Sequence, residues 1–189
     1  SVLDHCMYCG MSLGRVGLDF RGLLAPLFEE CVLDLFSRNL ATAVENFHTV
    51  LDQHRCEALP SIATAAKTNT SGDDLTPPYS LMEHTPLAAF VNGILTGFNE
   101  LRHCAPSSLR STLAQLIEKA LEEISASLMR YNATRMLRDS EATLFMSLCK
   151  AFLEVACPYL INCYGRVYPG GPTLIRPASF SGPLLEFVS

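Results

Sequence analysis

Charged side chains are scarce in this chain of 189 residues: Asp, Glu, Lys and Arg make up 17% of it, against about 25% in an average soluble domain. Hydrophobic residues make up 49%. A surface so short of charge is either folded away or covered by partners, and the second option fits a subunit of an assembly. A surplus of basic residues is also lacking. The 14 Lys and Arg are outnumbered by 19 Asp and Glu, for a formal net charge of −5. That removes the phosphate-neutralising surface that nucleic-acid binding needs. The best local exception is Arg130, Arg135 and Arg138. Their spacing spreads them round a helix, where they complement the negative end of its dipole.

Polar residues interrupt every apolar stretch short of the roughly 18 residues of a membrane span, so no span is expected. No charged-then-apolar leader with a small-residue cleavage site is present. The chain opens on Ser1-Val2-Leu3 and enters a helical pattern at once, as expected of a piece of a longer chain. Catalytic signatures are missing too. There is no Gly-x-Ser-x-Gly elbow, no Gly-rich phosphate loop and no His-Glu-x-x-His. His5, His48, His54, His84 and His103 are scattered, and His84 and His103 are expected in solvated positions near element ends. Glu122 and Glu123 adjoin but point to different sides of a helix. The expectation is a protein that is not an enzyme and holds no cofactor or metal.

Cysteine is not scarce: there are eight. Cys31, Cys149 and Cys163 are expected on apolar helix faces as small hydrophobes. Cys6 and Cys9 form a Cys-x-x-Cys, but no strand pattern lies near them as a redox site would need. The nearest further ligands, His48, His54 and Cys56, are not at finger-like distance. A reduced, cytosolic protein follows. The triplets Asn69-Thr70-Ser71 and Asn132-Ala133-Thr134 resemble glycosylation sites. They are read as coincidence, yet they keep one alternative open: a secreted four-helix cytokine-like bundle with paired cysteines.

A period of about 3.6 residues dominates the remainder, and the predicted class is an all-α, elongated bundle of about five helices. Leu3 to Val16 reads as a first helix, weakened by Gly10 and Gly14. A long second one, about Leu23 to Cys56, carries the stripe Leu24, Leu27, Phe28, Cys31, Leu35, Val44, Phe47 and Leu51. Thr85-Pro86 starts a third, whose stripe is Leu87, Phe90, Val91, Ile94, Phe98 and Leu101. From Ser107 to about Leu137, Leu113, Leu116, Ile117, Ala120, Leu121, Ile124, Leu128 and Tyr131 face one way, with Gln115, Glu118, Lys119, Glu122 and Glu123 on the polar side. The last begins at Asp139 or Ser140, and Pro158 is expected to kink or end it.

Two segments break the pattern. About residues 57–84 read as a disordered or functional loop rich in Pro, Ser, Thr and Asp. Residues 169–189 read as an irregular Pro/Gly-rich tail, expected to lie as an extended strap over a neighbour because Leu174, Ile175, Phe180, Leu184 and Phe187 are apolar. The domain expectation is a bundle over 1–168 followed by that tail.

Three blocks are more specific than periodicity. The first is Cys6-Met7-Tyr8 with Gly10, Ser12 and the run Arg15-Val16-Gly17-Leu18-Asp19-Phe20-Arg21. The second is Pro86 to Asn92 with Phe98-Asn99-Glu100-Leu101-Arg102. The third is Leu144-Phe145 with Cys149 to Glu154 and Pro158-Tyr159-Leu160. In this order they resemble the subunit-eight family of the conserved oligomeric Golgi complex, over roughly residues 3 to 168. Cys9 departs from the aromatic residue expected there.

The resemblance implies a C-terminal helical portion of a multisubunit tethering complex of helical rods. It implies a peripheral protein on the cytosolic face of the Golgi membrane that acts by protein contacts in intra-Golgi retrograde transport. Its implied partners are other tethering subunits, SNARE proteins and small GTPases. Arg15, Asp19, Phe20 and Arg21 are the candidate contact residues. Arg15, Asp19 and Arg21 are placed to form an ion-pair network, with a partner or between two helices of this chain. The internal role is favoured, because isolated surface pairs contribute little.

Overall fold

A computed structural model describes residues 2–17, 21–53 and 77–188. These residues are helical with no strand among them: α1 (Val2–Gly14), α2 (Arg21–Gln53), α3 (Thr85–His103), α4 (Arg110–Thr134), α5 (Asp139–Ala151), α6 (Cys157–Val167) and the single turn α7 (Ala178–Ser181). The all-α expectation holds.

Helices α2 and α3 run antiparallel and form the broadest pairing. They approach closely because α3 offers Gly93 and Gly97. A Cβ on Gly93 would fall 2.6 Å from that of Ala43, and one on Gly97 would fall 3.2 Å from the Phe36 ring. Aromatic rings fill the rest of the seam: Phe36 stacks on Phe98 at 6.0 Å, and Phe47 meets Phe90 edge-on at 6.1 Å. Each such ring withdrawn from water contributes about 1.5–3 kcal/mol.

Helix α4 runs alongside α2 in the same direction. Ser108, in the turn before α4, donates to Glu29 at 2.6 Å, and further along Ser127 meets His48 at 2.5 Å. The stripes expected on α3 and α4 are buried, with Leu116 half-exposed. Neither helix begins with a side-chain cap: His84 precedes α3, and a 3-10 turn, Ser107–Leu109, leads into α4.

Helices α5 and α6 are one rod interrupted by a five-residue π turn, Phe152–Ala156. Pro158 has no N–H to give the carbonyl four residues back. The rod widens one turn earlier instead, the Cys157 N–H reaching the Phe152 carbonyl. Pro158 therefore neither ends the helix nor stops it before Val167. Taken as one helix, Asp139–Val167 is long and apolar enough to cross a membrane by length and composition, which interrupted apolar runs did not suggest. Its inner side belongs to the bundle core: Phe145, Leu148, Phe152, Leu160 and Tyr164 are buried.

After α6 the chain coils in short turns along α4, rather than lying extended. Gly170 makes the corner with φ +79°, a conformation glycine adopts freely. Gly171 lies so close to Tyr164 that an added Cβ would sit 2.5 Å from its ring. Ile175, Phe180 and Leu184 are buried, and Phe152 meets Phe180 edge-on. The span expected to be a loop is described only from residue 77, where Tyr79–Glu83 forms a 3-10 turn that buries Leu81.

Candidate functional site

Of the four contact candidates, Arg15 is exposed in the turn after α1, a turn closed by Gly17 at φ +83°. Arg21 opens α2. Asp19 and Phe20 lie outside the described residues. Cys6 and Cys9 are both exposed on α1. No group of three His, Cys, Asp or Glu able to hold a metal occurs among the described residues. His54, Cys56 and Asn69 lie outside them.

Cys149 and Cys163 are buried as expected, but Cys31 is exposed. The cause is position: it sits on the first half of α2, where no third helix covers it. His84, expected in solvent, is buried, because the turn before α3 folds its ring toward Ser147 of α5 at 3.4 Å. Burial also drives the Cys157 thiol well above its ordinary range and the Tyr159 phenol up to about 12. Both remain protonated and act as packing groups.

The basic trio divides. Arg130 donates to the Ser127 hydroxyl at 3.1 Å. Arg135 lies 4.5 Å from the centre of the Tyr131 ring and donates to the Asp52 carbonyl at 2.9 Å. It thus supplies a cation to the C-terminal end of α2 as well as closing α4, which extends the dipole reading to a second helix. Arg138 stands apart at the start of α5, its N–H bonded to the Glu141 carboxylate. Between the ends of α2 and α4 lies a polar cavity of about 340 Å³, bordered by His48, Asp52, Ser127, Arg130 and Arg135. Its donors are already engaged with Ser127 and a helix carbonyl, so it reads as a junction of two capped helices.

Glu118 was expected on the polar face of α4 and is instead almost fully buried. The tail is the reason. Arg176 gives its backbone N–H to one carboxylate oxygen at 3.0 Å and its guanidinium to the other at 2.9 and 3.1 Å. Burial pushes the Glu118 carboxyl up, but the Arg176 N–H groups and charge outweigh it and hold the group below its ordinary value.

The surface that remains open is apolar. Leu23, Leu27 and Leu35 recur along α2 and are 64%, 58% and 41% exposed. With Cys31 they form a stripe at four-residue steps. The sequence pattern placed Leu27, Cys31 and Leu35 on the core face, but α3 ends at His103 and leaves them uncovered. On α1, Met7, Tyr8, Met11 and Leu13 are exposed as well, as is Val16 in the turn after it. Beside the stripe, a cavity of about 220 Å³ opens between α2 and the last turn of α3. Phe28, Val32 and Phe36 line it from α2, and Gly97, Leu101 and Cys104 from the other side.

Comparison with known proteins bears on what such a surface serves. The Dor1-like family model matches residues 1–45, the stretch that carries the open surface. Conserved oligomeric Golgi complex subunit 8 of Bos taurus and of Homo sapiens are each 34% identical over 176 residues, covering 89% of this chain. The Drosophila melanogaster subunit 8 is 30% identical over 173 residues, again 89% of the chain. The chain spans less than a third of these relatives, 28%, 29% and 30% of their lengths. No solved structure matches. These likenesses do not support the secreted cytokine-like alternative, and the seven described cysteines form no disulfide among themselves.

Proposed function

The chain belongs with the conserved oligomeric Golgi complex subunit 8 sequences, and from that we propose that it is a scaffold segment of a Golgi vesicle-tethering complex. It acts by protein–protein contacts in intra-Golgi retrograde transport and carries out no reaction of its own. The observation that carries this reading is identity of 30–34% spread over 89% of the chain, with relatives named as subunits of one complex. An all-helical fold and an uncovered apolar surface support it, because assembly subunits leave such surfaces for their partners.

In this reading the chain is a C-terminal portion of its subunit. It lies on the cytosolic face of the Golgi, held there through the complex. Other tethering subunits are its partners, with SNARE proteins and small GTPases as further contacts. Arg15, Asp19, Phe20 and Arg21 are its candidate contact residues; Arg15, Asp19 and Arg21 serve the internal tie, so Asp19→Ala lowers thermal stability and leaves assembly intact.

Affinity capture of the tagged chain from its own cells, with mass spectrometry of what co-purifies, tests the proposal. Recovery of other tethering subunits above an unrelated helical control is the expected result; recovery of none would reject it. Titration under denaturing, non-reducing conditions is expected to count eight free thiols.

A further inference from the structure

The open surface has two acidic edges. Along α2 the apolar strip is bounded on one side by Glu30, and across the cavity α3 presents Glu100; both are exposed. The other carboxylates nearby are engaged: Glu29 accepts from Ser108 at 2.6 Å, and Asp34 pairs with Arg38 at 2.7 Å. Glu30 and Glu100 have no ion pair among the described residues. The cavity's polar lining, Asn39 and His103 beside Glu100, includes no Lys or Arg.

The stripe itself sets a length and a crossing. From Leu23 to Leu35 is twelve residue steps, about 18 Å of helix. An i, i+4 ridge of this kind accepts the groove of a helix crossing it obliquely. Next to the ridge, the cavity over Phe36 and Leu101 has room for a large side chain. Gly97 lies in its wall with the Phe36 ring packed against it.

We propose that this surface seats an amphipathic helix of another subunit of the same complex. That helix would place one large apolar side chain in the cavity over Phe36 and basic residues on both flanks, against Glu30 and Glu100. The proposal rests on the tethering reading for the identity of the occupant, and on the geometry for its chemistry. Apolar contact supplies the attachment. The paired acidic edges select for a basic partner and against an acidic one.

The test has two arms. In the first, the purified full chain is titrated with a synthetic helix of about 16 residues, leucines on one face and lysines on both flanks, and with a twin carrying glutamates in place of the lysines. The lysine peptide is expected to bind more tightly. Leu27→Glu with Leu35→Glu should weaken it by roughly tenfold or more, and Glu30→Lys with Glu100→Lys should reverse the preference between the twins. All four positions are exposed, so thermal midpoints should stay close to wild type. Equal binding of the twins, or undiminished binding by the leucine variant, would overturn the proposal.

In the second arm, the wild type and the leucine variant are each captured from their own cells. Loss of a tethering subunit from the variant alone supports the proposal. Equal recovery by both overturns the surface and leaves the tethering reading standing. Recovery by neither overturns the tethering reading, and the occupant's identity with it.

Discussion

The two halves of α2 share one helix and live in different surroundings. From Phe36 to Leu51, its inward residues are shut between α3 and α4; Phe36, Ala43 and Phe47 are at most 1% exposed. From Leu23 to Leu35 the same periodicity continues, yet the leucines of the four-step stripe are 41–64% exposed. Pro26 lies in this outer half, where its missing N–H removes a helix bond. The lesson is that amphipathic periodicity reports a face that will be covered. It does not report whether the cover comes from the same chain.

The contrast can be broken most sharply by truncation. Phe90→Ala, at a position with no exposure, is expected to cost about 3–5 kcal/mol in chemical denaturation. Leu27→Ala should stay within about 0.5 kcal/mol. Equal losses would mean that the outer half is as integral to the fold as the inner. Next in size is Gly93→Ala, which forces a methyl into the Ala43 contact. It is expected to cost about 1–3 kcal/mol, whereas Gly22→Ala, with nothing within 4 Å, should show no such loss. A thermal melt of each resolves the pair.

A smaller effect belongs to the tail. The clamp holds the Glu118 carboxyl below its ordinary value of 4.5, so its stabilisation is present above that range and fades as pH falls through the lowered value. Glu118→Gln should lower the melting midpoint at pH 7 by a few degrees and flatten the acid limb of the midpoint-versus-pH curve. Least of all, Ser125→Ala should be neutral or gain up to about 1 kcal/mol. The Ser125 hydroxyl is buried without a hydrogen bond, and removing it leaves nothing unpaired.

Much of the fold was legible. Stripes such as Leu113, Ile117, Leu121, Ile124 and Leu128 determine which face turns inward, and Thr85-Pro86 marked the start of α3. The departures have local causes that no single stretch reveals. Glu118 reads as polar until Arg176, 58 residues later, is laid over it. His84 reads as a solvated loop end until Ser147 is brought beside it. Pro158 reads as a kink or an end, because a π turn is a rarer answer than either. The open surface was present in the sequence as Leu23, Leu27, Cys31 and Leu35, but its openness depends on where α3 stops. That Gly93 and Gly97 let α2 and α3 close together corresponds to a Gly-x-x-x-Gly spacing in the sequence.

The parallel course of α2 and α4 bears on how the chain reaches this state. His48 meets Ser127 across 79 residues of sequence, and Arg135 reaches Asp52 across 83. Ala43 meets Gly93 across 50, and Glu118 meets Arg176 across 58. These contacts between helices span long stretches of sequence, so each such pairing must close a long loop before any contact rewards it. Helical proteins fold fast when their contacts are local. This one sets fast-forming helices in a non-local arrangement, and its folding rate should fall below that of a simple up-and-down bundle of equal length. During synthesis, α2 and α3 emerge and must wait for α4, holding their apolar faces against each other until the third partner leaves the ribosome.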